Sequence, residues 1–186
     1  MPDARRARLL AAMRLIKSSF ASPDLEFRVR THRPGDMGWI THRHAVIYGS
    51  EYGWNAEFEA MVAEITVDFI RRFDPATERC WIAEDATGNV LGSVLLKRKS
   101  KTVAQLRLLY VEADARGMGV GHHLVKECIM FARRKKYRKI VLWTNDILHA
   151  ARRIYQQEGF TLVEVEKHVS FGKKLVGQFW ELKLES

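Results

Sequence analysis

AQLRLLYVEADARGMGVGHHLVKECIMFARRKK, residues 104–136, is the stretch whose reading decides the fold. It reads as strand, glycine turn and helix. From Gln105 to Val111 two sets alternate, Leu106, Leu108 and Tyr110 against Gln105, Arg107, Leu109 and Val111. Both sets are largely apolar, as in a strand covered on both faces. Glu112-Ala113-Asp114 breaks the alternation, and Arg116-Gly117-Met118-Gly119-Val120-Gly121 follows. Leu124, Val125, Cys128, Ile129, Phe131 and Ala132 then recur at helical spacing. Arg133 to Lys136 load the last turn, where cations suit the helix dipole.

Three glycines in five residues at a helix start leave backbone N–H groups bare. The first N–H groups of a helix have no intrahelical partner, and the dipole favours an anion there. Without a Cβ in the way, a phosphate approaches such a backbone closely. A tight strand-to-helix turn with no ligand is the plainer alternative. The pattern is neither the dinucleotide fingerprint GxGxxG nor a P-loop, since no GK[ST] ending follows.

Around this stretch, 186 residues suit one domain able to bury about 70 % of its unfolded surface. A hydrophobic content of 47 % with 28 % charge is ordinary for a globular chain. No apolar run reaches the length of a membrane span, and no signal core is evident at the N-terminus. Two lone cysteines, Cys80 and Cys128, argue against a disulfide scaffold. These features predict a cytoplasmic protein. The net charge of +9 sits in local blocks, Arg5 to Arg8, Lys97 to Lys101, Arg133 to Lys139 and Lys173-Lys174. Such blocks read as solvated element ends, and no nucleic-acid-binding motif accompanies them, so nucleic acid is not the expected partner.

In chain order, Leu9, Leu10, Met13, Ile16 and Phe20 share one face of a helix over 3–20. We read residues 1–24 as a helical extension and 25–186 as the domain. Leu25 to Thr31 alternates as a strand. Asp36 is the expected cap of a helix over Met37–Tyr48, and Tyr52 to Asn55 interrupt it. Asn55 caps a second helix carrying Phe58, Met61, Val62, Ile65, Phe69 and Ile70. Cys80–Glu84 and Val90–Lys97 are strands joined by Asp85 to Asn89, and Lys139–Thr144 is a buried strand. Asn145 or Asp146 is the expected cap of a helix over Leu148–Gln157. Phe160–Phe171 and Leu175–Leu184 close the chain as a hairpin around Gly172-Lys173-Lys174. The order predicts an α/β protein built on a mixed sheet.

Arg116, Gly119 and Gly121 match Arg/Gln-x-x-Gly-x-Gly/Ala. With its flanks, LLYVEADARGMGVGHHLV, this resembles the acyl-CoA pyrophosphate loop of the GNAT (GCN5-related) N-acetyltransferases, from about residue 25 to the end. Residues 31–65 are further similar to the acetyltransferase half of bacterial fusions between a MarR-type repressor and such a domain. No winged-helix segment is present here, so the DNA-binding role is not carried over. The resemblance implies acetyl-CoA as co-substrate, a primary amine as acceptor and no metal. It implies contacts to the pantetheine arm from the backbone around Leu109, Tyr110 and Val111. It implies a pyrophosphate site at Arg116, Gly117, Met118, Gly119, Val120, Gly121 and His122. Tyr155, in ARRIYQQEGF, stands where the family's tyrosine protonates the departing thiolate. Many members carry asparagine where this chain has Leu148, and Asn145 is the expected substitute contact.

The acceptor side is read less directly. Glu51, Glu84 and Glu112 are the carboxylate candidates for the base, beside a water chain without one; Gln105, at the family's glutamate place, accepts no proton. Glu51 is taken as the group facing the amine, with Tyr48, Tyr52 and Trp54 as apolar walls. His42 and His44 at i, i+2 of a helix face different ways, which argues against shared metal ligation. No nucleophilic Ser or Cys motif points to an acyl-enzyme. An inactive CoA-binding regulatory module and a basic nucleic-acid or partner-binding protein are the rival readings, and a homodimer is compatible with all three.

Overall fold

The computed structural model describes residues 27–184. The expected helix over 3–20, the boundary at residue 24 and the start of the first strand lie outside the described residues. Within them the order is β1 (Arg28–Thr31), α1 (Asp36–Tyr52), α2 (Ala56–Arg72), β2 (Arg79–Glu84), β3 (Val90–Arg98), β4 (Val103–Val111), α3 (Val120–Arg134), β5 (Lys139–Asn145), α4 (His149–Gln157), β6 (Thr161–Ser170) and β7 (Lys173–Lys183). The expected α/β architecture is present. Seven strands form one mixed sheet in the order β1-β2-β3-β4-β5-β7-β6, with β4 and β5 as its parallel pair. No described helix is long and apolar enough to cross a membrane.

Two cores lie on the two faces of the sheet. On one, Leu124, Val125, Cys128 and Phe131 of α3 pack over Trp81, Val94, Leu96, Leu106 and Ile140. On the other, Ile40 of α1 and Phe58, Val62, Ile65 and Phe69 of α2 pack over Ile82 and Leu95. Each such side chain stabilises the fold by about 1.5–3 kcal/mol when fully buried. Asn55 caps α2 as expected, its side chain accepting the Glu57 N–H at 3.1 Å.

β4 carries the feature that positions the site. It pairs with β5 only over Val103–Gln105. Beyond that point β4 stays on β3 while Leu142 to Asn145 stay on β7, so the sheet opens between them. Across from β3, Arg107 faces Leu95 and Tyr110 faces Ser93, which sets Leu108 and Leu109 together against Val94. This is a bulge, with Leu108 at φ 52°. It corrects the expected alternation. Leu106 stays on the α3 face, whereas Leu108 packs with the α1–α2 core and the Tyr110 ring meets Trp39 and His44 of α1.

Three local expectations also change. Asp36 does not cap α1; its carboxylate accepts the Arg33 N–H at 2.6 Å and pairs with Arg30. That guanidinium outbids the helix N–H groups. Neither Asn145 nor Asp146 caps α4, which begins after Leu148 without a side-chain cap. The last hairpin turns at Phe171-Gly172, with Ser170 opposite Lys173. Both turn residues have positive φ, 58° and 74°, as a two-residue turn requires. Phe171 tolerates this because its ring is packed between Trp54 and Phe58 and its N–H donates to Glu57 Oε2 at 3.0 Å.

Candidate active site

The turn between β4 and α3 exposes its backbone. Gly119 precedes α3 at φ 81° and no side chain caps the helix. The first bond inside α3 runs from the His123 N–H to the Gly119 carbonyl at 3.0 Å. The N–H groups of Val120, Gly121 and His122 therefore precede the helical ladder. Gly121 is needed for a different reason: a Cβ there would meet Ile154 Cδ1 of α4 at 2.7 Å. α4 is held against this turn by His122 as well, whose ring nitrogens lie 2.7 Å from Glu158 Oε1 and 2.7 Å from Gln157 Oε1.

A cavity of about 410 Å³ runs from this turn into the opening between β4 and β5. The structure brings to its walls most of the residues singled out from the sequence: Leu109, Tyr110 and Val111 of β4; Arg116, Gly117, Gly119, Val120, Gly121 and His122 of the turn; Tyr48, Glu51 and Tyr52 of α1. Met118 packs instead beside the α3-side core. Bare N–H groups at a helix start, two left-handed glycines and an elongated cavity fit a pyrophosphate with an extended arm.

Trp54, Asn145 and Tyr155 line a second, smaller cavity of about 100 Å³ on the α1–α2 side of the opening. The two cavities share Tyr48, Leu109, Leu148 and Ala151 as walls. Tyr155 is 4 % exposed. Burial pushes its hydroxyl pKa far up, so it holds its proton at any working pH. Asn145 is buried at the end of β5, its Oδ1 3.0 Å from His168 Nε2.

The carboxylate candidates are all held by arginines. Glu112 makes a two-pronged contact with Arg43, at 2.5 and 2.8 Å. Glu84 binds Arg30 and Arg28, and hydrogen bonding to Arg30 holds its pKa below the usual carboxylate range. Glu51, expected to face the amine, lies 2.8 Å from Arg116 on the larger cavity, away from Trp54. A carboxylate already paired with a guanidinium is a poor attractor for an incoming cation.

Two residues of the smaller cavity were missed. His44 is 2 % exposed and on the apolar stripe Met37, Ile40, His44, Ile47 of α1; a histidine on such a stripe is the signal the sequence offered. His42 on the same helix is exposed. Arg107 lies on β4 at the bulge, which only strand pairing reveals. Among the described residues no group of three His, Cys, Asp or Glu is placed to hold a metal. Cys80 and Cys128 are buried, which pushes both thiols up and away from the nucleophilic thiolate.

This turn, opened sheet and buried tyrosine define a class. Residues 43–160 match the Acetyltransferase (GNAT) family, and the chain belongs to it. An uncharacterized N-acetyltransferase of Schizosaccharomyces pombe is 30 % identical over 122 residues, 65 % of this chain and 74 % of that protein. N-acetyltransferase family 8 member 2 of Rattus norvegicus is 32 % identical over 124 residues, 64 % of this chain but 52 % of that protein. The chain thus spans about three quarters of one such relative and half of the other. Among solved structures, the protein yncA of Salmonella typhimurium, solved with its cofactor acetyl-CoA, superposes with a TM-score of 0.67 at 22 % identity, over 86 % of this chain and 95 % of that one. A spermidine N-acetyltransferase of Vibrio cholerae, in complex with CoA and spermine, gives 0.64 at 19 %, over 85 % and 95 %. These likenesses are of fold.

Proposed function

We propose that the protein transfers the acetyl group of acetyl-CoA to a primary amine by direct attack within a ternary complex. The observation that carries this reading is the adjacency of the two cavities across their shared wall of Tyr48, Leu109, Leu148 and Ala151, with uncapped helix N–H groups beside one and the buried Tyr155 lining the other. In this reading the N–H groups of Gly117, Gly119, Val120, Gly121 and His122 take the pyrophosphate, with Met118 shaping the turn. Arg116 adds charge, and Glu51 holds that arginine rather than the amine. The backbone of Leu109 to Val111, free of β5, offers its ladder groups to the extended arm. Tyr48 and Tyr52 wall this path; Trp54 and Asn145 belong to the acceptor side.

Acetyl-CoA, when bound, supplies the thioester. The neutral amine nitrogen bonds the acetyl carbon and the C–S bond breaks. Tyr155 gives its proton to the leaving sulfur and regains one from solvent, into which the amine nitrogen releases its own. The buried, protonated thiols of Cys80 and Cys128 support transfer without an acyl-enzyme. The test is acetyl-CoA turnover, read as free thiol, over a panel of primary amines. Thiol release that depends on an amine and yields its N-acetyl product is the expected result; a folded protein that binds CoA yet turns over no amine fits the regulatory-module reading instead.

A further inference from the structure

Among the described residues, the smaller cavity holds an uncommon set of buried polar atoms without protein partners: His44 Nε2, Trp54 Nε1 and Asn145 Nδ2. Their residues are 2 %, 6 % and 1 % exposed. Buried polar groups are normally paired, so several orphans around one cavity point to a ligand that pairs them. Arg107, half-buried, lines the same cavity, and its guanidinium makes no hydrogen bond or ion pair among the described residues. The charge it senses is Asp68, already held by Lys97 and Arg72.

The hydrogen-bonding sense of each group is fixed. His44 Nδ1 lies 2.8 Å from the Ile40 carbonyl, which only accepts, so Nδ1 carries the proton and Nε2 presents a lone pair. Trp54 Nε1, Asn145 Nδ2 and the Arg107 guanidinium only donate. These four groups therefore offer several donors, one of them cationic, and a single acceptor, beside the Tyr48, Gln105, Thr144 and Tyr155 side chains, which line the same cavity and can both donate and accept. Among the described residues no Asp or Glu lines it. A polyamine or a lysine side chain would meet an unpaired cation there and no counter-charge. A carboxylate matches the donors, and the guanidinium fork suits it best. An amine N–H matches the His44 lone pair.

Building on the acetyltransferase reading, we propose that the acceptor is a small amino acid. Its carboxylate is bound by Arg107 with help from Asn145 and Trp54, and its amine is oriented by His44 Nε2 toward the shared wall where the cavities meet. The volume of about 100 Å³ leaves room for a small molecule. Arg107 acts as the specificity-determining residue and His44 as a positioning residue.

The experiment compares α-amino acids with the amines left when the α-carboxylate is removed, using acetyl-CoA and the full chain, after CoA binding has been measured by calorimetry. The expected result is that an amino acid exceeds its decarboxylated amine by at least about 100-fold in kcat/KM. Arg107→Gln should raise KM for the amino acid at least about tenfold, leave the amine unaffected and leave KM for acetyl-CoA in place. If Arg107→Gln does not fold, the wild-type ratio decides alone. Equal or better use of decarboxylated amines, no turnover of any amino acid by a CoA-binding protein, or an unchanged ratio in a folded Arg107→Gln overturns the inference and leaves the acetyltransferase reading to its own test. A protein that binds no CoA overturns both.

Discussion

At the glycine turn, the polar groups facing the larger cavity are consecutive backbone N–H groups, and the surrounding charge, Arg116 on Glu51, sits near solvent. On the other side of their shared wall, the smaller cavity is ringed by buried and half-buried side chains drawn from α1, the α1–α2 corner, α2, β4, β5 and α4. The first surface is suited to a ligand recognised by shape and negative charge, whatever its acyl group. The second places each donor and acceptor individually, as discrimination among amines requires. In the proposed reading, recognition of a shared co-substrate is thus written locally along the chain, whereas recognition of the particular acceptor is assembled from distant elements.

The largest expected effect tests how dry the second region is. Burial lowers the His44 pKa from 6.5 to about 4. Between those values the unfolded chain binds the proton and the folded chain does not, so stability is full above pH 6.5 and declines as pH falls toward 4. The decline attributable to His44 reaches about 3 kcal/mol at its limit. Denaturant unfolding of wild type and His44→Gln across that window should show a steeper loss for wild type. Parallel curves would mean that the ring is protonated, and hydrated, in the fold.

Replacing Tyr155 by Phe should keep CoA affinity and lower kcat roughly 100-fold, the loss of one general acid. Equal kcat across pH would reduce Tyr155 to packing beside Phe160, whose ring centroid lies 5.7 Å away. On the other side of the wall, Gly119→Val should weaken CoA binding at least about tenfold, or about 1.4 kcal/mol. A Cβ at Gly119 meets no atom within 4 Å, so the cost comes from its φ of 81°, which a branched residue resists, and from crowding of the anion. Unchanged affinity by calorimetry in a folded variant would remove the turn from the site. The smallest effect belongs to Glu51→Gln. The Arg116 and Glu51 side chains are 46 % and 30 % exposed, and such pairs contribute about 0–1 kcal/mol. KM for acetyl-CoA should therefore change less than about fivefold and kcat/KM for the acceptor should hold; a large loss confined to the acceptor would return Glu51 to the amine.

The same contrast explains what the sequence disclosed. The glycine turn, the α3 stripe, the Asn55 cap and the element order rest on neighbours a few residues apart, and all were legible. The bulge at Leu108 was not, because it follows from register against β3, and alternation alone put Leu106, Leu108 and Tyr110 on one face. Asp36 looked like a cap until Arg30, six residues back, claimed its carboxylate. Glu51, Glu84 and Glu112 looked free because their arginines are 65, 56 and 69 residues away in the chain, for Arg116, Arg28 and Arg43 respectively. His44 and Arg107 become a pair of site residues only once α1 is laid across β4.

A crystal structure with acetyl-CoA tests the central claim most directly. The account predicts the pyrophosphate on the N–H groups of Gly117 to His122, the arm along Leu109 to Val111, and the thioester at the wall shared by Tyr48, Leu109, Leu148 and Ala151, with its sulfur in reach of the Tyr155 hydroxyl. Acetyl-CoA bound elsewhere, or a thioester turned away from that wall with Tyr155 still closed in the core, would contradict it.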